Sequence, residues 1–157
     1  MPALEAILYD ASRLFLVPVI MLILLALAFA LLSLGRFALE ALARGRGRPA
    51  RPLTAHQART GCAGDDLELV AMRRLEWLRI VSRSAPMLGL VATMIPIGPA
   101  LLALGQNDGA AVGENLVVAF SSVILALVAA SITFFIYTVR RRWLLEELRS
   151  IETEAAA

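Results

Sequence analysis

Three long runs of apolar residues, none containing a charge, dominate the hydrophobic pattern of the chain. They cover residues 14–35, 85–106 and 115–139. A helix that crosses the hydrocarbon core of a bilayer needs about 20 such residues, and an open strand would leave its backbone groups unpaired there. The pattern therefore predicts an all-α membrane protein with three transmembrane helices.

Polar and amphipathic segments lie between and beyond these runs. Apolar residues recur at helical spacing among the charges of residues 65–84 and 140–157, which predicts that helices two and three continue into the cytoplasm. Residues 44–64 are rich in Gly, Pro and Arg, which is typical of a solvated linker, although contact with lipid headgroups is an alternative. The predicted order is an outer N-terminal segment (1–13), transmembrane helix 1 (14–35), a cytoplasmic basic linker (36–64), a cytoplasmic amphipathic helix (65–84), transmembrane helix 2 (85–106), an outer turn (107–114), transmembrane helix 3 (115–139) and a cytoplasmic C-terminal helix (140–157).

Composition and charge add an orientation to this picture. Hydrophobic residues make up 59% of the chain, against roughly 45–50% in soluble domains. All basic residues are arginines, and they concentrate in residues 36–83 and 140–149, whereas the turn at 107–114 has none. The positive-inside rule then predicts that the loop at 36–84 and the C-terminus lie in the cytoplasm, and that the N-terminus and the turn at 107–114 face outward. Topology explains the net charge of +2, and no nucleic-acid partner is expected.

The predicted spans lack any titratable proton carrier. None of the three apolar runs contains Asp, Glu, His, Lys or Arg, the residues that usually mark proton or ion relays in membranes. If protons cross here, another chain must supply the carboxylate. His56 and Cys62 lie in one loop, but two ligands do not make a zinc site. We expect no metal, no cofactor and no enzymatic activity.

Small and hydroxylated residues form a stripe on each of the last two spans. On helix three the stripe contains Asn115, Ala119, Ser122, Ala126, Ala129 and Thr133. On helix two it contains Ala85, Gly89, Ala92, Pro96, Pro99 and Ala103, with Thr93 beside it. Such stripes permit close packing of transmembrane helices. They would equally suit the lining of a central pathway, and the pattern leaves both interpretations open.

The depth of the hydroxyls can be estimated if Arg83 and Arg140 mark one inner surface. At a rise of about 1.5 Å per residue, Thr93 would lie roughly 15 Å above Arg83. Thr133 would lie about 10 Å and Ser122 about 27 Å above Arg140. Hydroxyls spread in this way across the bilayer favour a vertical path over a single binding ring.

Two motifs on these spans resemble those of the MotA/TolQ/ExbB proton-channel family. The sequence APMLGLVAT (residues 85–93) is similar to the family's second-helix motif A-P-L-L-G-L-L-G-T-V. The sequence AFSSVILAL (residues 119–127) is similar to its third-helix motif, of the form A-F-S-T-T-V-x-G-L. The departures are Ala92 and Ala126 in place of motif glycines and Val123 in place of a threonine.

The resemblance implies a proton-channel subunit of an ion-driven motor in the cytoplasmic (inner) membrane of a bacterium or archaeon. Family members form a ring of five subunits around single-span, ExbD/TolR-like partners, whose membrane Asp carries the proton. A lining threonine of the family maps onto Thr93, and a second maps onto Val123 or, with a shift of one residue, Ser122. With the stripe of helix three, the expected channel-lining residues are Thr93, Ser121, Ser122 and Thr133. The expected residues of close helix packing are Pro86, Gly89, Ala92, Ala126 and Ala129.

Two other interpretations of the sequence remain. The chain could be a structural membrane scaffold whose stripes only pack helices, or an accessory subunit of an unrelated transporter. A neighbouring reading frame that encodes one apolar span with an Asp would favour the channel over the scaffold.

Overall fold

Three long helices account for nearly all of the residues that the structure describes. The computed structural model describes residues 2–46, 53–54 and 65–156. Helix α1 covers Pro2–Gly45, α2 covers Asp65–Gly105 and α3 covers Gly109–Ala156. All three are long and apolar enough to cross a membrane. The predicted all-α membrane fold is confirmed, and α2 and α3 both extend well beyond their apolar runs.

Helix α1 is longer than its apolar run at both ends. It includes the predicted N-terminal segment from Pro2 and continues to Gly45, inside the stretch that the sequence assigns to the linker. Of the rest of that linker, only Leu53 and Thr54 belong to the described residues beyond Arg46. His56 and Cys62 lie outside them.

A tight turn joins α2 to α3. Asn107 adopts a left-handed conformation with φ of 59°, and the Asp108 N–H donates to the Ala103 carbonyl at 3.0 Å. These features end a helix by satisfying its last carbonyls. The Asp108 carboxylate then accepts from the Ala111 N–H at 3.1 Å, which caps the start of α3. We call this end of the molecule the turn end.

Helices α2 and α3 form an antiparallel hairpin, and α1 lies against it. At the opposite, arginine-rich end, buried apolar residues of α2 and α3 form one cluster, against which Phe29 and Phe37 of α1 pack. Nearer the turn end, Val19 and Ile23 of α1 pack against small residues of the hairpin. The apolar faces that the sequence periodicity predicts thus pack together in a three-helix bundle, with contacts at both of these levels.

A buried carboxylate fixes part of the linker to the arginine-rich end. Glu147 is only 8% exposed, and its Oε1 accepts hydrogen bonds at 3.0 Å from the Leu53 N–H, the Thr54 N–H and the Thr54 hydroxyl. The Leu53 side chain is fully buried in the apolar cluster formed with α2 and α3. A carboxylate that accepts several hydrogen bonds is a strong anchor, and here it fixes Leu53 and Thr54 to α3.

Replacing Glu147 with alanine is expected to destabilise this end of the bundle. Loss of hydrogen bonds to a charged group costs about 1.5–3 kcal/mol, which would lower the thermal unfolding midpoint by roughly 3–12 °C. Thermal unfolding of the detergent-solubilised protein measures the effect. Glu146→Ala is the control, because its neighbouring carboxylate is 62% exposed and only reaches Arg142 at 3.5 Å. Equal shifts for the two variants would contradict the anchor.

Candidate channel-lining face

The small-residue stripes meet at the interface between α2 and α3. Ala85, Gly89 and Ala92 of α2 are buried, as are Ala126 and Ala129 of α3. A Cβ added to Gly89 would lie 2.8 Å from the Ala126 Cβ and 3.4 Å from Val123 Cγ2. The hairpin therefore depends on a glycine at this crossing, since its helices could not approach so closely around a larger residue.

Two of the expected lining hydroxyls are enclosed within the chain. Ser122 is buried, and its hydroxyl donates to the Val118 carbonyl at 2.8 Å. Thr133 is fully buried, and its hydroxyl donates to the carbonyls of Ala129 and Ala130 at 2.8 and 3.1 Å. Both hydroxyls are satisfied by the backbone of their own helix, as small polar residues at helix interfaces commonly are.

Helix α1 covers one side of the hairpin. Val19 and Ile23 share a cluster with Ala92 and Ala126, against which Leu88 also packs. At about 100° per residue, the order around α2 is Leu88, Ala92, Gly89 and Thr93. Leu88 and Ala92 face α1 and Gly89 faces α3, so Thr93 lies beyond the α3 contact, on the side away from α1.

Thr93 is half-buried, and its oxygen keeps acceptor capacity. Its Oγ1 donates to the Leu90 carbonyl at 2.7 Å. A hydroxyl that donates its proton to the backbone still has lone pairs that can accept a hydrogen bond. The position that faces it across the hairpin is close to Val123, because Gly89, one turn earlier, packs between Val123 and Ala126.

Two other predicted site residues, Ser121 and Pro86, lie on opposite sides of the α2–α3 hairpin. Ser121 is exposed and lies one turn from Leu125, which packs on the α1 contact, so Ser121 is on the α1 side of the hairpin. Pro86 is half-buried and lies two turns before Thr93 on the same side. The structure thus places only Thr93 and Pro86, of all the predicted site residues, on the side away from α1 without enclosing them in the hairpin.

Arginines share a face with Thr93. Alternate steps of four and three residues keep positions on one side of a helix, and on α2 this series runs through Arg79, Arg83, Pro86, Leu90, Thr93 and Ile97. We call these residues the Thr93 face. Arg79, Arg83, Leu90 and Ile97 are exposed in the protomer. The face is apolar towards the turn end and cationic towards the arginine-rich end.

The register of the hairpin corrects the depth estimated from the sequence. Gly89 packs at the level of Val123 to Ala126, and α2 runs antiparallel to α3, so residues before Gly89 lie opposite residues after Ala126. Arg83 therefore lies near the level of Thr133, about 10 Å nearer the turn end than Arg140. The two arginines do not mark one surface, and Arg83 reaches the depth of the uncharged run of α3.

Sequence reasoning missed this arginine face although the signal was present. The spacing of Arg79, Arg83 and Thr93 is visible in the sequence, but the apolar run of α2 begins after Arg83 and so excluded it from the span. The offset between the helices, which sets the depth of Arg83, is a property of the packed hairpin. Among the residues that the structure describes, no cluster of His, Cys, Asp or Glu could hold a metal ion.

Comparison with known proteins decides the family. The model of the MotA/TolQ/ExbB proton channel family matches residues 55–153, which include both motif helices. The chain belongs to this family. Its sequence is 40% identical over 81 residues to a biopolymer transport protein ExbB homolog of Methanothermobacter thermautotrophicus, a match that covers 51% of this chain and 29% of that protein. The chain thus aligns with less than a third of the length of that relative. No solved structure matches it.

Proposed function

We propose that this MotA/TolQ/ExbB subunit forms a ring, of five copies as the family resemblance implies, in which the Thr93 face of each copy borders a central, water-containing lumen. A single-span, ExbD/TolR-like partner occupies the lumen, and its membrane Asp carries the proton. The chain itself performs no covalent chemistry. The arginine-rich end lies in the cytoplasm, and proton flow energises transport or other work at the envelope.

The observation that carries this proposal is the depth and direction of Arg83. It is exposed on the Thr93 face, at the depth of the uncharged run of α3. An arginine at that depth is costly against acyl chains and is normally found where it faces a bundle interior or a water-filled cavity. Since α1 covers the other side of the hairpin, the Thr93 face is the side on which water is needed.

The chemistry of Thr93 fits a proton that crosses on a foreign carboxylate. The described parts of the three apolar runs contain no carboxylate, so the partner Asp must take a proton from water on one side and return it to water on the other. Thr93 Oγ1, with its own proton donated to Leu90, can accept a hydrogen bond from the protonated carboxyl or from a water beside it. This stabilises the neutral acid at a depth where a bare carboxylate would be costly.

Two leucines of equal exposure allow a direct test of the lumen. Leu90, on the Thr93 face, and Leu25, on the outer side of α1, are each 64% exposed in the protomer. Each is replaced with cysteine in a Cys62→Ser background, and intact membranes are treated with a small, water-soluble thiol reagent. Because only the thiolate reacts, and an apolar environment suppresses it, we expect Leu90→Cys to be labelled at least about tenfold faster than Leu25→Cys.

The partner provides the second arm of this experiment. Co-expression of the ExbD/TolR-like partner is expected to slow the labelling of Leu90→Cys, because its helix fills the lumen, and to leave Leu25→Cys unchanged. Equal labelling of both positions, with or without the partner, would favour the structural scaffold over the channel. Native mass measurement of the extracted particle, with and without the partner, tests the five-copy ring separately.

A further inference from the structure

A cavity of about 440 Å³ lies among the three helices at the arginine-rich end. Ser33 of α1, Arg74 of α2 and Leu144 of α3 belong to its lining. Arg74 precedes Ala92 by about five full turns and so lies on the side of α2 that faces α1. The cavity is therefore on the opposite side of the hairpin from the Thr93 face and is independent of the proposed proton pathway.

The cavity sits where two of the spans pass from apolar to charged sequence. Arg36 and Arg140 both line it, and they are the first charged residues after the apolar runs of α1 and α3. Phe29 and Leu78 provide apolar lining, and Phe29 belongs to the apolar run of α1. One end of the cavity thus borders the hydrocarbon region, and the other borders the headgroup region.

The lining carries an excess of positive charge. Four arginines line the cavity, at positions 36, 44, 74 and 140, against a single carboxylate, that of Glu40. Glu40 is committed to Arg140, whose Nη2 and Nε lie 2.8 and 3.1 Å from its Oε2. Among the described residues, no ion pair involves Arg36 or Arg74. These two guanidinium groups can bind an added anion without breaking an existing pair.

Aromatic side chains complete the site. Trp77 and Trp143 both line the cavity. The Trp143 ring stacks on Phe37 at 5.4 Å between centroids and lies under the Arg44 guanidinium at 4.2 Å. Tryptophan is enriched where the hydrocarbon meets the headgroups, and guanidinium groups bind phosphate in bidentate geometry. The cavity thus has guanidinium groups that can donate hydrogen bonds to a phosphate at one end and apolar walls at the other. This combination matches an amphiphilic anion.

We propose that this cavity binds the headgroup of an anionic phospholipid from the membrane leaflet next to the arginine-rich end. The phosphate lies between Arg36 and Arg74, and an acyl chain follows the apolar wall past Phe29. A free phosphate would gain only the guanidinium contacts, whereas the lipid also uses the apolar and aromatic lining. The bound lipid holds α1 against the hairpin at the level of Arg36 and Arg74.

Lipid binding can be measured on the delipidated, full-length protein. Native mass spectrometry and thermal unfolding are recorded with phosphatidylglycerol, with phosphatidylcholine and with soluble glycerol phosphate. We expect phosphatidylglycerol to remain bound and to raise the unfolding midpoint. Phosphatidylcholine and glycerol phosphate should bind with an affinity at least about tenfold lower. Equal binding of phosphatidylcholine would overturn the proposal. Binding of glycerol phosphate as tight as that of the lipid would assign the cavity to a soluble anion instead.

Paired arginine variants locate the site. Arg36→Gln with Arg74→Gln is expected to weaken phosphatidylglycerol binding by about ten- to thirtyfold. The control, Arg142→Gln with Arg149→Gln, removes the same charge from exposed positions outside the cavity lining and should change binding less than about threefold. Equal losses in the two double variants would show attraction to general positive charge and would refute the site. If the cavity variant does not fold, the comparison of the three ligands on the unmodified protein still tests whether the cavity binds an anionic lipid.

Discussion

Replacing Thr93 with valine is expected to abolish partner-dependent proton uptake while the complex still assembles. Valine keeps the shape of threonine but removes the oxygen that would accept a hydrogen bond from the protonated carboxyl. Loss of one preorganised polar contact at a reacting group typically costs about a hundredfold or more in rate. Proton uptake into vesicles that contain the protein and its partner measures the effect, and native mass measurement confirms assembly.

Two further variants show whether the hydroxyl at this position is the cause. Thr93→Ser restores an oxygen and should recover most of the proton uptake. Thr133→Val removes a hydroxyl that is fully buried and bonded to its own helix, so it should leave uptake within about a few-fold of the unmodified protein. Undiminished uptake in Thr93→Val, or an equal loss in Thr133→Val, would refute the assignment of Thr93.

Replacing Gly89 with leucine is expected to prevent the hairpin from packing. Even a single Cβ at this position would lie 2.8 Å from the Ala126 Cβ, and an alanine methyl cannot rotate out of the way. Overpacking of a closed interface usually costs about 1–3 kcal/mol, and a whole leucine side chain should exceed that range. We expect loss of the monodisperse, detergent-extracted particle, as measured by size-exclusion chromatography and thermal unfolding.

A smaller change at the same crossing separates the clash from ordinary glycine effects. Gly35 has no atom within 4 Å of a Cβ built on it, so Gly35→Ala should be neutral or should stabilise α1 by about 0.5–1 kcal/mol. Gly89→Ala should destabilise instead, and Ala126→Gly in the same molecule should recover part of the loss. Equal stability of Gly35→Ala and Gly89→Ala would contradict the close contact.

Several features of the protein follow from the sequence alone because they depend on one helix at a time. The apolar runs define three spans, since the bilayer fixes the length of uncharged sequence that a helix needs. The motif around Gly89 and Thr93 indicates the family, which the family model confirms. Helical periodicity also fixes which residues share a face, so the grouping of Thr93 with Leu90 and Arg83 is contained in the sequence.

The tertiary structure decided how these faces are used. Periodicity gives each side chain a direction within its helix, but it gives neither the neighbour on that side nor the axial offset between helices. Close contact of Gly89 with Ala126 sets that offset, encloses Ser122 and Thr133, and carries Arg83 to the depth of the α3 span. The same packing joins Arg36 to Arg74 around one cavity, because only the folded bundle brings residues so distant in sequence together.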